Sequence, residues 1–169
     1  MKILQVVGFK NSGKTTVSIE IIRYFTSKGI KVGSLKNHGH GGTPIGIDRT
    51  DSDQHQKAGS TIAGVVGENI FQLSHIKKWE VADMLAIYQH LNMELLLLEG
   101  FKELTYPKLV LLQNQDDLSM LTSLKNIIGV IKSSDIHIED NDRPVFDREN
   151  TRSICEWLYQ HHYLLGGVR

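Results

Sequence analysis

The chain has 169 residues, enough for one α/β domain with a substantial core. Nineteen Lys and Arg balance nineteen Asp and Glu, so the formal net charge is zero and the basic excess of a nucleic-acid-binding surface is missing. Cys155 is the single cysteine, which excludes an internal disulfide and a multi-cysteine zinc site, and no run of about 18 apolar residues is there to span a membrane.

The first predicted element is a buried strand, Ile3-Leu4-Gln5-Val6-Val7. It starts almost at Met1, so no signal peptide is expected and the default location is the cytoplasm. Gly8-Phe9-Lys10-Asn11-Ser12-Gly13-Lys14-Thr15 follows at once. It fits the G-x-x-x-x-G-K-[ST] loop whose backbone amides cradle nucleotide phosphates. A helix opens behind it, with Val17, Ile21, Ile22 and Phe25 at helical spacing and Lys28-Gly29 as its end. Strand, glycine loop and helix in that order are the setting the motif requires.

Each loop residue has an expected task. Gly8 and Gly13 take backbone dihedrals that a side chain would resist. Lys14 reaches the β- and γ-phosphates, and the Thr15 hydroxyl coordinates a magnesium ion between them. Thr16 is a candidate for the α-phosphate, while Asn11 and Ser12 line the loop.

A short strand is expected over 31–35, then a loop rich in Gly and His up to Thr50, then a short helix over 51–59. Residues 61–66 and 69–73 read as two strands of a hairpin turning near Gly67. Residues 79–91 form an amphipathic helix with Val81, Met84, Leu85 and Tyr88 on one side. Leu95-Leu96-Leu97-Leu98 is a strand covered on both faces, and it ends in Glu99-Gly100. A carboxylate there suits a hard cation, directly or through water, so Lys14 and Glu99 are the expected catalytic pair. Further strands are expected at 109–113 and 127–131. Asn150 is expected to cap a last helix carrying Ile154, Trp157 and Leu158 inward, and the tail from Gly166 is expected to fray.

Alternating strands and helices imply an α/β three-layer sandwich of P-loop NTPase type, a mainly parallel sheet with helices on both faces, as one domain over residues 1–169. Ligands of such sheets bind beyond the carboxyl ends of the strands, where the loop and Glu99 both fall. The segment Lys36-Asn37-His38-Gly39-His40 opens onto the same end and leaves three readings. It is a switch ordered by phosphate and magnesium, with Lys36 on phosphate and Asp48, Asp51 or Asp53 in the ion's outer shell. It is a transition-metal site of His38, His40 and a carboxylate, or it is a plain surface loop. Asp135, in Lys132-Ser133-Ser134-Asp135 behind a late strand where a base could be recognised, is a candidate base-reading residue, against the alternative of a turn-forming acid.

Several segments together are distinctive. They are Gly8 to Thr16, Leu35-Lys36-Asn37-His38, Lys57-Ala58-Gly59, Leu98-Glu99-Gly100-Phe101-Lys102 and Pro107-Lys108. In combination the chain resembles, over essentially its whole length, the molybdopterin-guanine dinucleotide biosynthesis protein B family. The resemblance implies a GTP-binding protein with weak, magnesium-dependent GTPase activity. It implies a guanylyltransferase partner that joins GMP to molybdopterin, and a homodimer built partly by strands that extend the sheet. By position, Gly8, Gly13, Lys14, Thr15 and Thr16 match the nucleotide loop and Glu99 the acidic strand end. Lys36, His38, Asp51 and His55 match the next polar segments, and Lys102 and Lys108 match basic residues facing an anionic ligand or partner. Gln54 and Gln56 depart from the arginines common there. A small-molecule kinase and a nucleotide-dependent adaptor remain the competing readings of the same cradle.

Overall fold

The computed structural model describes residues 1–38, 50–138 and 142–167. The histidine-rich segment of the proposed switch, with His40 and Asp48, lies outside the described residues. The chain divides into two compact units, one of residues 1–37 and 86–169 and one of residues 38–85.

The first unit is built on a sheet. Its strands are Lys2–Gly8 (β1), Val32–Lys36 (β2), Leu95–Glu99 (β5), Lys108–Leu112 (β6), Ile127–Lys132 (β7) and Val145–Asp147 (β8), in the spatial order β2-β5-β1-β6-β7-β8, all parallel. Gly166–Gly167 (β9) adds to β1 antiparallel, so these two residues of the tail are paired rather than frayed. The central strands are buried along nearly their whole length, as a sheet covered on both faces demands.

Alternation along the strands divides the core in two. Leu4, Val6, Leu95, Leu97, Leu109, Leu111 and Ile131 face the helices Lys14–Ser27 (α1) and Thr151–Gln160 (α5), which contribute Val17, Ile21, Phe25, Ile154, Cys155 and Leu158. Val7, Val110, Leu112 and Val130 face the other way, onto Met120 and Ile136. Met120 sits on a five-residue helix, Ser119–Ser123 (α4), entered through a 3-10 turn at Gln115–Leu118. Each fully buried leucine of this kind contributes about 2 kcal/mol. The α/β sandwich expected from the alternation of elements is present, and α4, the 3-10 turn, β8 and β9 add to it. These four pieces are two to five residues long, too short for any hydrophobic period to register. Asn150 caps α5 as expected, accepting the Ser153 amide at 3.2 Å.

The second unit holds Asp51–Lys57 (α2) and the antiparallel hairpin of Ile62–Val66 (β3) and Phe71–His75 (β4). Gln56 is buried and clamps α2 to the hairpin. Its Nε2 donates to Ser74 O at 2.9 Å, and the Ser74 hydroxyl donates to its Oε1 at 3.1 Å. The glutamine at this position is therefore a packing residue of its unit. Helix α3, Val81–His90, carries the chain across the boundary between the units. Among the described residues no helix is long and apolar enough to cross a membrane.

Candidate nucleotide-phosphate site

β1 delivers the chain at Gly8 to the carboxyl end of the sheet, and α1 leaves from Gly13. Gly13 is the helix N-cap at φ 85°, a left-handed conformation that a side chain resists. No side chain caps α1, and its first turn holds no acid. The first-turn amides and the positive end of the helix dipole are thus left to an anion. Gly8 differs from expectation, since its φ is not left-handed. Space is its constraint: a Cβ there would lie 2.5 Å from Ser12 Oγ and 3.0 Å from Leu111 O. The loop folds back onto its own first residue, which buries Ser12. Asn11, at φ 63°, and Thr16 are exposed.

The Lys14 ammonium curls over the loop, donating to Phe9 O at 2.5 Å, with Ser12 Oγ 3.5 Å away. Burial holds its pKa below the ordinary lysine value. Glu99 acts in the opposite sense, and Lys102 and Lys36 add to the lowering. The Lys102 ammonium lies 3.8 Å from the centre of the Phe9 ring. Three lysines thus share one carboxylate around the loop, an imbalance that a bound anion relieves.

Glu99 lies in register with Val6 and Lys36 on its flanking strands. The Thr15 hydroxyl donates to Glu99 Oε1 at 2.8 Å. The Lys36 ammonium donates to Thr15 Oγ1 at 3.0 Å and pairs with Glu99 Oε1 at 2.8 Å. A cation is therefore already held by the two oxygens expected to meet magnesium, with the ammonium as its stand-in. Among the described residues no group of three or more His, Cys, Asp or Glu is placed to hold a metal. An ion at this point would take one hydroxyl and one carboxylate from the protein, with phosphate and water completing its shell. That donor set fits Mg2+, which keeps several waters and binds through one or two carboxylates plus phosphates.

The turn after Glu99 is held from below. Gln5, buried in β1, donates through Nε2 to Phe101 O at 2.8 Å, with Gly100 O 3.5 Å away. Phe101 itself is left-handed at φ 56°. This anchoring sets Lys102 above Phe9. A lone glutamine in an apolar strand was the signal for it.

Other expected residues fall elsewhere. Lys108 does not face an anionic ligand: it is wholly buried at the start of β6, its ammonium donates to Leu104 O, and burial lowers its pKa. Asp135 is exposed in the turn after β7, at the ligand end of the sheet. Asp51 and His55 belong to α2 of the second unit, and His38 is exposed. Cys155 packs as an apolar group, its thiol pushed up to about 11 by burial. One residue passed over in the sequence does reach the loop. Arg148, just past β8, lays its guanidinium against Gly13.

Comparison with known proteins agrees with this geometry. Residues 3–133 match the family described as molybdopterin guanine dinucleotide synthesis protein B. A probable molybdopterin-guanine dinucleotide biosynthesis adapter protein of Bacillus subtilis is 39% identical over 154 residues, covering 90% of this chain and 88% of that one. The crystal structure of Bacillus subtilis MobB superposes with a TM-score of 0.83 at 34% identity, covering 99% of this chain and 100% of that one. That of a MobB homologue from Bacillus stearothermophilus gives 0.77 at 30%, covering 95% and 97%. The loop, the acidic strand end, the parallel sheet and these matches lead to one assignment: the chain belongs to the molybdopterin guanine dinucleotide synthesis protein B family.

Proposed function

We propose that this chain is a GTP-binding adapter protein in the synthesis of the molybdopterin guanine dinucleotide, with slow magnesium-dependent GTPase activity. The observation that carries the reading is the cluster of Thr15, Glu99 and Lys36 beside an uncapped helix N-terminus. The loop amides and Lys14 bind the phosphates, while Thr15 and Glu99 hold the ion, Glu99 through water where its reach falls short. When bound there, magnesium would neutralise the negative charge of the phosphates. Asp135 reads the guanine. The adapter role of the Bacillus subtilis relative supports a partner protein, here the guanylyltransferase that couples GMP to molybdopterin, with molybdopterin itself as a further ligand. The whole chain acts as one nucleotide-binding domain, in the cytoplasm.

The exposed apolar residues of the hairpin support a homodimer. Val66, Ile70, Phe71 and Ile76 are 63 to 77% exposed. A two-stranded hairpin with so much exposed apolar surface gains from a second copy.

Titrating GTP, GDP and ATP against the purified protein, with and without Mg2+, tests the reading. GTP is expected to bind in preference to ATP, and Lys14→Ala is expected to weaken GTP binding by about a hundredfold or more. Unchanged GTP affinity in Lys14→Ala would refute the cradle. Preference for ATP, with phosphate transferred to a metabolite, would make the protein a kinase.

A further inference from the structure

A Cβ placed on Gly13 would stand 2.6 Å from Arg148 Nη2, 3.0 Å from its Cζ and 3.1 Å from its Nε. Three atoms of the guanidinium therefore pack on the N-cap of α1, beside the amides that point toward a bound anion. Arg148 reaches this place from a fixed backbone. β8 pairs in register with β7 as far as Asp147 opposite Lys132, and the Arg148 amide donates to Lys132 O at 2.9 Å. The turn beyond is tied as well. The Asp147 carboxylate accepts the Glu149 amide at 3.0 Å, and the Asn150 amide donates to Asp147 O at 3.0 Å. Among the described residues no carboxylate pairs with the guanidinium. It thus adds a positive charge to a helix end that has no acid in its first turn and already carries Lys14.

Topology says which part of a nucleotide this charge meets. Glu99 and Lys36 rise from β5 and β2, on one side of β1. Arg148 comes from β8, on the other side of β1 and beyond β6 and β7. A magnesium ion held by Thr15 and Glu99 would mark the γ-phosphate end of the chain of phosphates. A group arriving from the opposite side meets the remainder of the chain of phosphates.

We propose that Arg148 is a nucleotide-binding residue that holds the α- and β-phosphates of a bound nucleoside di- or triphosphate from the β8 side of the loop. This rests on the reading of the loop as a nucleotide cradle. The planar fork of a guanidinium suits two phosphate oxygens at once, which a lysine ammonium does not match. Contact with the α- and β-phosphates serves GDP and GTP alike, unlike an arginine that meets only the γ-phosphate.

The test is calorimetric titration of GDP and of GTP into the wild-type protein, Arg148→Gln, Arg148→Lys and Lys14→Ala, with the nucleotide-free thermal midpoint measured for each. Arg148→Gln is expected to weaken GDP and GTP equally, by about tenfold, and Arg148→Lys to recover part of the loss. Wild-type GDP affinity in Arg148→Gln overturns the proposal, and it leaves the cradle intact if Lys14→Ala still fails to bind. Loss of GTP affinity with GDP affinity kept moves Arg148 to the γ-phosphate and also overturns it. Equal losses in the Gln and Lys variants, with a lowered thermal midpoint in both, make the residue a packing element and overturn it too. A wild-type protein that binds neither nucleotide removes the cradle itself, and this proposal with it.

Discussion

Lys14 shows how one side chain links burial, charge and ligand. Burial lowers its pKa from 10.5, so the amine loses its proton earlier as pH rises than an open lysine does. The unfolded chain binds more protons than the folded one between the two pKa values, so over that window ligand-free stability rises with pH. A phosphate beside the amine favours the ammonium and reverses the shift. Nucleotide binding at alkaline pH therefore takes up a proton, and affinity falls as pH rises through the Lys14 pKa. Titrations across the alkaline range below pH 10.5, in two buffers of different ionisation heat, are expected to show proton uptake in the wild type and much less in Lys14→Arg. No uptake in the wild type would separate Lys14 from the phosphates. Gly8 makes a steric counterpart. A Cβ there meets Ser12 Oγ at 2.5 Å and the Leu111 carbonyl oxygen at 3.0 Å, so Gly8→Ala opens the loop. The expected cost is about 1–3 kcal/mol of stability by chemical denaturation, and a value near zero would show that Ser12 simply swings away.

At the scale of elements, the hairpin β3–β4 is mostly exposed. Only Ala63 is buried in it, and its register to α2 rests on the bonds between Gln56 and Ser74. If it is a dimer surface, Phe71→Glu is expected to shift the protein from dimer to monomer in sedimentation equilibrium while its nucleotide binding persists. A wild-type monomer at about 50 μM would remove the hairpin from that role. The hairpin was legible because two alternating runs flank Gly67, and β1, α1, β5 and α5 were legible because each carries a long apolar pattern. β8 was not legible: three residues, Val145-Phe146-Asp147, make no period, and their strand exists only because β7 offers an edge. Arg148 was lost with it. No local motif marks an arginine whose meaning comes from a loop 135 residues earlier in the chain, as Gly13 is. Lys108 was misread for the related reason that burial is not written in a Pro-Lys pair. The first position of a central strand leaves no room for its ammonium except against Leu104 O.

The molecule as a whole concentrates its chemistry at the carboxyl ends of parallel strands. β1 brings the loop, β5 brings Glu99, β2 brings Lys36 and β8 brings Arg148, all from one sheet. Folding that sheet is therefore enough to bring the loop and the acid together, although 84 residues separate Thr15 from Glu99. The direct check is GTP titration into wild-type protein and Glu99→Gln, each with Mg2+ and with a chelator. Mg2+ is expected to tighten GTP binding by about tenfold or more in the wild type, and the gain is expected to shrink by at least about threefold in Glu99→Gln. GTP binding that ignores Mg2+ in the wild type, or an undiminished Mg2+ gain in Glu99→Gln, would contradict the pairing of loop and acid on which the nucleotide assignment stands.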